Sequence, residues 1–193
     1  PKQAHCLFQV LFEYCYLLTE LYLPISLTKI PKNALANCKR IKAISCDPKW
    51  LKLLPNPLNV ENIIVPQGVC RIEQDSFKKV KNLKVLVLPD SLNFDNCDLD
   101  TFDEIYNLLS FEGDPIFLKI IHKLSLKFVF IPSYVKEIPK EAFIGCKYLQ
   151  EVKIEDNSNL KIIKSKAFVN CHSLVFFNVP ESVEDIAPDA FDG

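Results

Sequence analysis

The sequence predicts an α/β-type repeat solenoid, a stack of short coils that share one parallel β-sheet. Short helical or 3₁₀ turns or loops form the opposite wall. Three observations predict it. An apolar frame returns with a period near 23 residues, as from Ile163 to Ile186. An Ala-Phe pair recurs at Ala142-Phe143, Ala167-Phe168 and Ala190-Phe191. Five of the strand-like segments end at a proline, at Pro24, Pro66, Pro89, Pro132 and Pro180. A fixed period of this size marks stacked repeats, in which one coil cannot close its own core and stability comes from its neighbours.

The clearest copy is Ile138, Ala142, Phe143, Cys146, Leu149, Val152 and Ile154. The next is Ile163, Ala167, Phe168, Cys171, Leu174, Phe177 and Val179, and Ile186, Ala190 and Phe191 open a truncated one. Upstream, the same slots are Leu7, Leu11, Phe12, Cys15, Leu18, Leu21 and Leu23; then Ile30, Ala34, Leu35, Cys38, Ile41, Ile44 and Cys46; then Ile72, Ser76, Phe77, Val80, Leu83, Leu86 and Leu88. Val60, Ile63, Val65 and Val69 keep the second half of a copy whose first half, around Trp50 to Pro57, is degenerate. Leu126, Val129, Ile131 and Val135 do likewise after a poor first half at Pro115 to Lys123. Residues 93–114 are expected to hold a degenerate acidic coil or insertion, with Ile105 and Leu108 as its strand. The reading is one domain over 1–193, with about eight coils and the start of a ninth.

Each slot has a physical reason. The Leu-x-x-Val-x-Ile spacing is not plain alternation, because its first gap is three. It fits a short strand entered through a bend, with all three apolar residues inward. Proline lacks an N–H and suits a strand end. The Ala-Phe pair and the following Cys fill the opposite wall, and a fully buried Phe contributes roughly 1.5–3 kcal/mol. About eight coils at strand spacing give a sheet of about 40 Å.

Composition narrows the functional classes. The chain has 193 residues, is 49% hydrophobic and carries a net charge of −1. Bulk attraction to nucleic acid or anionic membrane is not expected at that charge. Only four glycines occur, which argues against phosphate-cradling loops. There is no Met, so the chain is expected to be a piece of a longer protein. Leu7 to Leu18 is apolar enough for a signal-peptide core, but Glu13 interrupts it and its apolar residues fill repeat slots. No run reaches the ~18 residues of a membrane-spanning helix.

Cys15, Cys38, Cys146 and Cys171 share one slot and Cys46 fills a strand slot, so these are expected to be small buried hydrophobes with free thiols. Cys6, Cys70 and Cys97 lie outside the frame, an odd number for a disulfide framework. No Cys-x-x-Cys occurs, which argues against zinc. Asn96-x-Asp98-x-Asp100 mimics the opening of a calcium loop, but Thr101 stands where Gly is needed and Asn107 where a bidentate Glu belongs. Lys78, Lys79, Lys81 and Lys84 read as a solvated outer turn without interleaved aromatics, so nucleic-acid binding is not expected. His5, His122 and His172 fall in separate coils, and no nucleophile–base pair shares a surface, so catalytic, cofactor and metal sites are all expected to be absent.

The segments from Ile138 to Leu149 and from Ile163 to Leu174, with Pro180-Glu-Ser-Val-Glu-Asp-Ile186, resemble the leucine-rich repeats of the bacterial surface antigen A type. The resemblance is strongest over 138–193, fair in 7–47 and 60–92, and poor in 49–58 and 93–123. It implies a right-handed leucine-rich-repeat coil with its sheet on the concave face. It also implies a surface protein of bacteria or some protists that adheres to matrix or host proteins and has no catalytic motif.

Residues between the inward slots point out of the sheet. Of these, Tyr22, Ile64, Val85, Val87, Phe128, Phe130 and Phe176 are apolar and form the expected partner-binding face. A contiguous exposed apolar patch marks a binding surface. Two other accounts compete, the liking of β-branched and aromatic residues for strands and cover by another segment of the protein. The expected function is therefore non-catalytic protein binding, as surface adhesion or, alternatively, as an intracellular scaffold. The lack of an Asn-x-Ser/Thr sequon and the free thiols favour the latter.

Overall fold

The structure is a computed structural model that describes residues 12, 15–31, 34–53 and 59–193. His5, Cys6, Leu7, Leu11 and the 54–58 part of the degenerate stretch lie outside the described residues.

The repeated three-residue gaps of the sequence are turns. Phe77 accepts from the Val80 N–H and Val80 from Leu83; Phe143 accepts from Cys146 and Cys146 from Leu149; Phe168 accepts from Cys171 and Cys171 from Leu174. In such i→i+3 geometry, side chains three apart eclipse one another. One run of turns thereby aims Phe, Cys (or Val) and Leu at the same interior. Pro24, Pro66, Pro89, Pro132 and Pro180 each accept from the N–H three residues on, so the proline marks a second turn that closes the strand.

The strands are β1 (Glu20–Tyr22), β2 (Ala43–Ser45), β3 (Asn62–Ile64), β4 (Val85–Val87), β5 (Ser110–Glu112), β6 (Phe128–Ile131) and β8 (Glu151–Ile154), in one parallel sheet of seven. An isolated bridge from Glu151 to Phe176 adds a further rung. Strands β7 (Glu137–Ile138), β9 (Ile162–Ile163) and β10 (Asp185–Ile186) make a second parallel sheet of three. The sequence reading placed these isoleucines in the frame but did not anticipate their pairing. The other regular elements among the described residues are short 3₁₀ turns at Pro48–Leu53, Phe94–Asn96 and Pro115–Lys119.

One carbonyl per coil ties each strand to the next. Thr19 O accepts from both Lys42 and Ala43 N–H, Lys42 O from Glu61 and Asn62, Glu61 O from Lys84 and Val85, and Lys84 O from Leu109 and Ser110. Leu109 O and Lys127 O continue the series. The bend before each strand is thus satisfied by the neighbouring coil.

The core is a continuous column of the repeat slots. Ile72, Phe77, Val80, Leu83, Leu86 and Leu88 are all buried, as are Ile138, Ala142, Phe143, Cys146, Leu149 and Val152. Phe77 and Phe102 lie 5.2 Å apart between ring centroids, and Phe143–Phe168 and Phe168–Phe191 stack at 4.7 and 4.9 Å. Stacked rings in such pairs contribute about 0.5–1.5 kcal/mol beyond their buried area. The degenerate first halves keep the column too, through Leu51 in one and Phe117, Leu118 and Ile121 in the other.

The expected strand at Ile105 and Leu108 is corrected. Strand β5 is Ser110–Glu112, and Ile105 and Leu108 are buried turn residues that precede it. Phe111 pairs with Leu86 and Val129, so the coil reads Cys97, Thr101, Phe102, Ile105, Leu108, Phe111 and Gly113. Cys97 therefore belongs to the frame, half-buried against the core. Its last slot is glycine, beside Phe111, the largest middle residue among the seven strands of the sheet. A Cβ on Gly113 would meet the Phe111 ring and the Leu88 Cβ at 3.2 Å, at a φ of +146°.

Two measurements probe this packing. Gly113→Val is expected to lower stability by about 1–3 kcal/mol through overpacking, read as a lower guanidinium midpoint. Ser76 and Thr101 stand where other coils have Ala, and their buried hydroxyls have no hydrogen-bond partner. Ser76→Ala is expected to stabilise by about 1 kcal/mol. A lower midpoint for that variant would contradict the unpaired hydroxyl.

Candidate functional site

The outward face of the seven-stranded sheet carries two rows, fixed by the strand register. One row is Glu20, Ala43, Asn62, Val85, Ser110, Phe128 and Glu151, with Phe176 bridged beyond it. The other is Tyr22, Ser45, Ile64, Val87, Glu112, Phe130 and Lys153. All seven apolar residues singled out from the sequence fall on this face. Tyr22, Ile64, Phe128 and Phe176 are exposed, Tyr22 and Phe176 to about 70% (69% and 71%), while Val85, Val87 and Phe130 are half-buried.

The expected contiguity of that patch is corrected. Strand β5 sets Ser110 and Glu112 between Val85/Val87 and Phe128/Phe130, and Glu151 stands between Phe128 and Phe176. Ala43 and Ser45 likewise separate Tyr22 from Ile64 and leave a shallow notch of about 310 Å³ there. The face is a set of large apolar islands with polar or small residues between them. This arrangement was hidden while the coil at 93–114 had no register. The spacing Phe102-x2-Ile105-x2-Leu108-x2-Phe111 was the signal that could have placed it.

A groove of about 320 Å³ lies at the C-terminal ends of β3 to β6. Its apolar walls are Ile64, Val87, Phe130, Pro132 and Tyr134, and Glu112 and Glu155 open into it. Burial and the charge of Glu155 raise the Glu112 carboxyl above the usual carboxylate range. Glu155 is held below that range because the Ser133 N–H donates to it at 2.6 Å. Burial, then the charges of Asp114 and Asp90, push the Tyr134 phenol upward. Asp114 is itself raised by burial while it caps the turn through the Ile116 N–H. Sequence reasoning singled out none of these four side chains.

The other candidates fall elsewhere. Of the outer lysines, Lys84 pairs with Glu61 at 2.9 Å, Lys81 with Glu104 at 3.2 Å and Lys78 with Asp75 at 3.7 Å, while Lys79 Nζ donates to the Lys52 carbonyl. Asn96 ends a 3₁₀ turn and Asp100 accepts from Gln74, and His122 lies 4.8 Å from the Tyr106 ring between centroids. Among the described residues Cys38, Cys46, Cys70, Cys97, Cys146 and Cys171 are free thiols. Cys171 Sγ donates to Phe143 O at 3.2 Å and Cys38 Sγ to Phe12 O at 3.7 Å, both in the preceding coil. The slot thus holds a weak donor as well as a small apolar body.

This parallel stack with three-residue turns and an inward Leu column defines a leucine-rich-repeat coil. The BspA type leucine rich repeat region matches residues 51–120 and 94–193, in six copies, and the chain belongs to that family. Members of this family are generally non-catalytic repeat scaffolds of the kind used for protein interaction. A leucine-rich repeat protein from Eubacterium ventriosum shares the fold, with a TM-score of 0.52 and 18% identity over 91% of this chain and 43% of its own. A leucine rich cell surface protein from Faecalibacterium prausnitzii matches at 0.44 and 18% over 90% of this chain and 45% of its own. A leucine-rich repeat protein from Bacteroides ovatus matches at 0.41 and 18% over 87% and 56% respectively. The chain thus spans about half or less of the first two. No curated protein matches. Among the described residues no helix is long and apolar enough to cross a membrane.

Burial pushes the Cys46 and Cys146 thiols up to about 12 and Cys171 to about 11. A raised value means less thiolate, the reactive form, at any given pH. At pH 8, iodoacetamide is therefore expected to label exposed Cys70 well before Cys46, Cys146 or Cys171, as read by peptide mass spectrometry. Equal rates would contradict the buried slot.

Proposed function

We propose that this chain is a protein-binding module that adheres to extracellular or host proteins at a cell surface, through the outward rows of the sheet. The observation that carries the reading is the set of large apolar side chains on one regular face, with Tyr22, Ile64, Phe128 and Phe176 exposed. Strand propensity accounts for β-branched and aromatic residues in strands, but a solvated sheet face normally alternates apolar-in with polar-out. Exposed apolar groups rimmed by polar ones, here Ser45, Ser110, Glu112 and Glu151, fit the anatomy of a docking face. The surface placement rests on the resemblance of the repeats to surface antigens.

A second reading, an intracellular scaffold, draws on the free thiols, which suit a reducing compartment. A panel of immobilised extracellular-matrix proteins separates the two. The intact chain is expected to bind one or more of them, and Phe128→Glu with Phe130→Glu to weaken that binding by at least about tenfold, the effect of losing a central anchor. The circular dichroism of the double variant should stay unchanged, since neither ring is in the core. Unfolding of the variant would place these rings in the core. Binding to no member of the panel would favour the scaffold.

A further inference from the structure

Resting on the reading of the sheet as a docking face, we infer that the groove at the ends of β3 to β6 receives an arginine side chain of the protein partner. Four observations converge on that chemistry. The walls are apolar, with Val87 and Phe130 on either side of Glu112 in one row of the sheet. Rung spacing puts those two flanking residues roughly 9–10 Å apart, wide enough for a flat group to lie between them over Glu112. Glu155 enters the same groove from the coil of β8, so two carboxylates face one space. No ion pair among the described residues involves Glu112, Glu155, Asp90 or Asp114, although lysines elsewhere on the solenoid pair with acids one coil away.

Like charges in a half-apolar setting are costly without a cation, and the raised Glu112 carboxyl reflects that. A guanidinium answers it better than an ammonium. It is planar, presents a fork to two carboxylates and stacks on an aromatic face such as Phe130. Its aliphatic stem covers apolar surface such as Ile64 and Val87. Charge-assisted hydrogen bonds of this kind are about twice as strong as neutral ones. The inference deepens the docking reading by stating what the partner presents at the break between two apolar islands.

The test uses the intact chain, labelled with ¹⁵N and ¹³C, and two probes, Nα-acetylarginine N-methylamide and its citrulline counterpart. Citrulline keeps the shape and loses the charge. The arginine probe is expected to give saturable shifts at Val87, Glu112 and Phe130, with affinity at least about tenfold above citrulline. Glu112→Gln with Glu155→Gln should abolish the preference while resonances outside the groove stay in place, which reports an intact fold. Equal response to both probes, shifts spread over other acids such as Asp98 and Asp103, or no shift in the groove up to millimolar probe would each overturn the inference. The docking reading fails separately, if the Phe128→Glu/Phe130→Glu variant keeps full binding to the matrix panel.

Discussion

Each of the strands β1 to β6 is entered through a bend whose carbonyl accepts two N–H groups from the next coil, from Thr19 through Lys127. A buried or half-buried amide left without a partner costs about 1–3 kcal/mol, so the bend is stable only with a neighbouring coil in place. Because the pair of donors is adjacent in sequence, the contact admits one register. A slip of one residue would turn every inward side chain to solvent. The column of core residues and the rows of the outer face are therefore two consequences of the same hydrogen bonds.

Within that frame the coils vary by compensation. Phe111 is the largest middle residue among the seven strands of the main sheet, and Gly113 leaves room beside it. Phe117 fills its coil from a 3₁₀ turn that begins with Pro115 and is capped by Asp114. The position before the Ala-Phe pair, or before Ser76-Phe77, takes a left-handed backbone at Asp75, Glu141 and Lys166, at φ near 60° (61°, 62° and 58°), with no glycine to announce it. Such a conformation costs about 1–2 kcal/mol outside glycine. The stacked neighbours hold it, since Glu141 N–H donates to Ser165 O in the next coil.

Charge is distributed by the same stacking. Lys52–Glu73, Lys84–Glu61, Lys161–Glu184 and Lys164–Glu137 link residues one coil apart along the outside. Exposed pairs of this kind contribute about 0–1 kcal/mol each, so their effect is to leave the flanks near neutral rather than to hold the stack. The groove at the ends of β3 to β6 departs from that pattern, with carboxylates and no paired cation among the described residues. A locally negative, partly apolar notch on a near-neutral molecule selects a partner by complementarity more than by long-range attraction.

The sequence by itself determined the architecture. Apolar residues at gaps of three and two admit only a run of turns followed by a short strand, and the period forces those units to stack. It also determined which residues leave the sheet, because the alternation in Leu83-x-x-Leu86-x-Leu88 sends Val85 and Val87 outward whatever their neighbours are. Only the tertiary structure decided what lies beside them. Strand β5 is the least legible, because a glycine stands in its last apolar slot and the Phe111 ring takes up that space. That space is shared between residues and is visible only when the side chains are placed. With β5 in register, Glu112 falls between Val87 and Phe130, and Glu155 and Tyr134, distant in sequence, close the groove around it. A repeat reports its period through composition, whereas a site between coils depends on which side chains the stacking brings side by side.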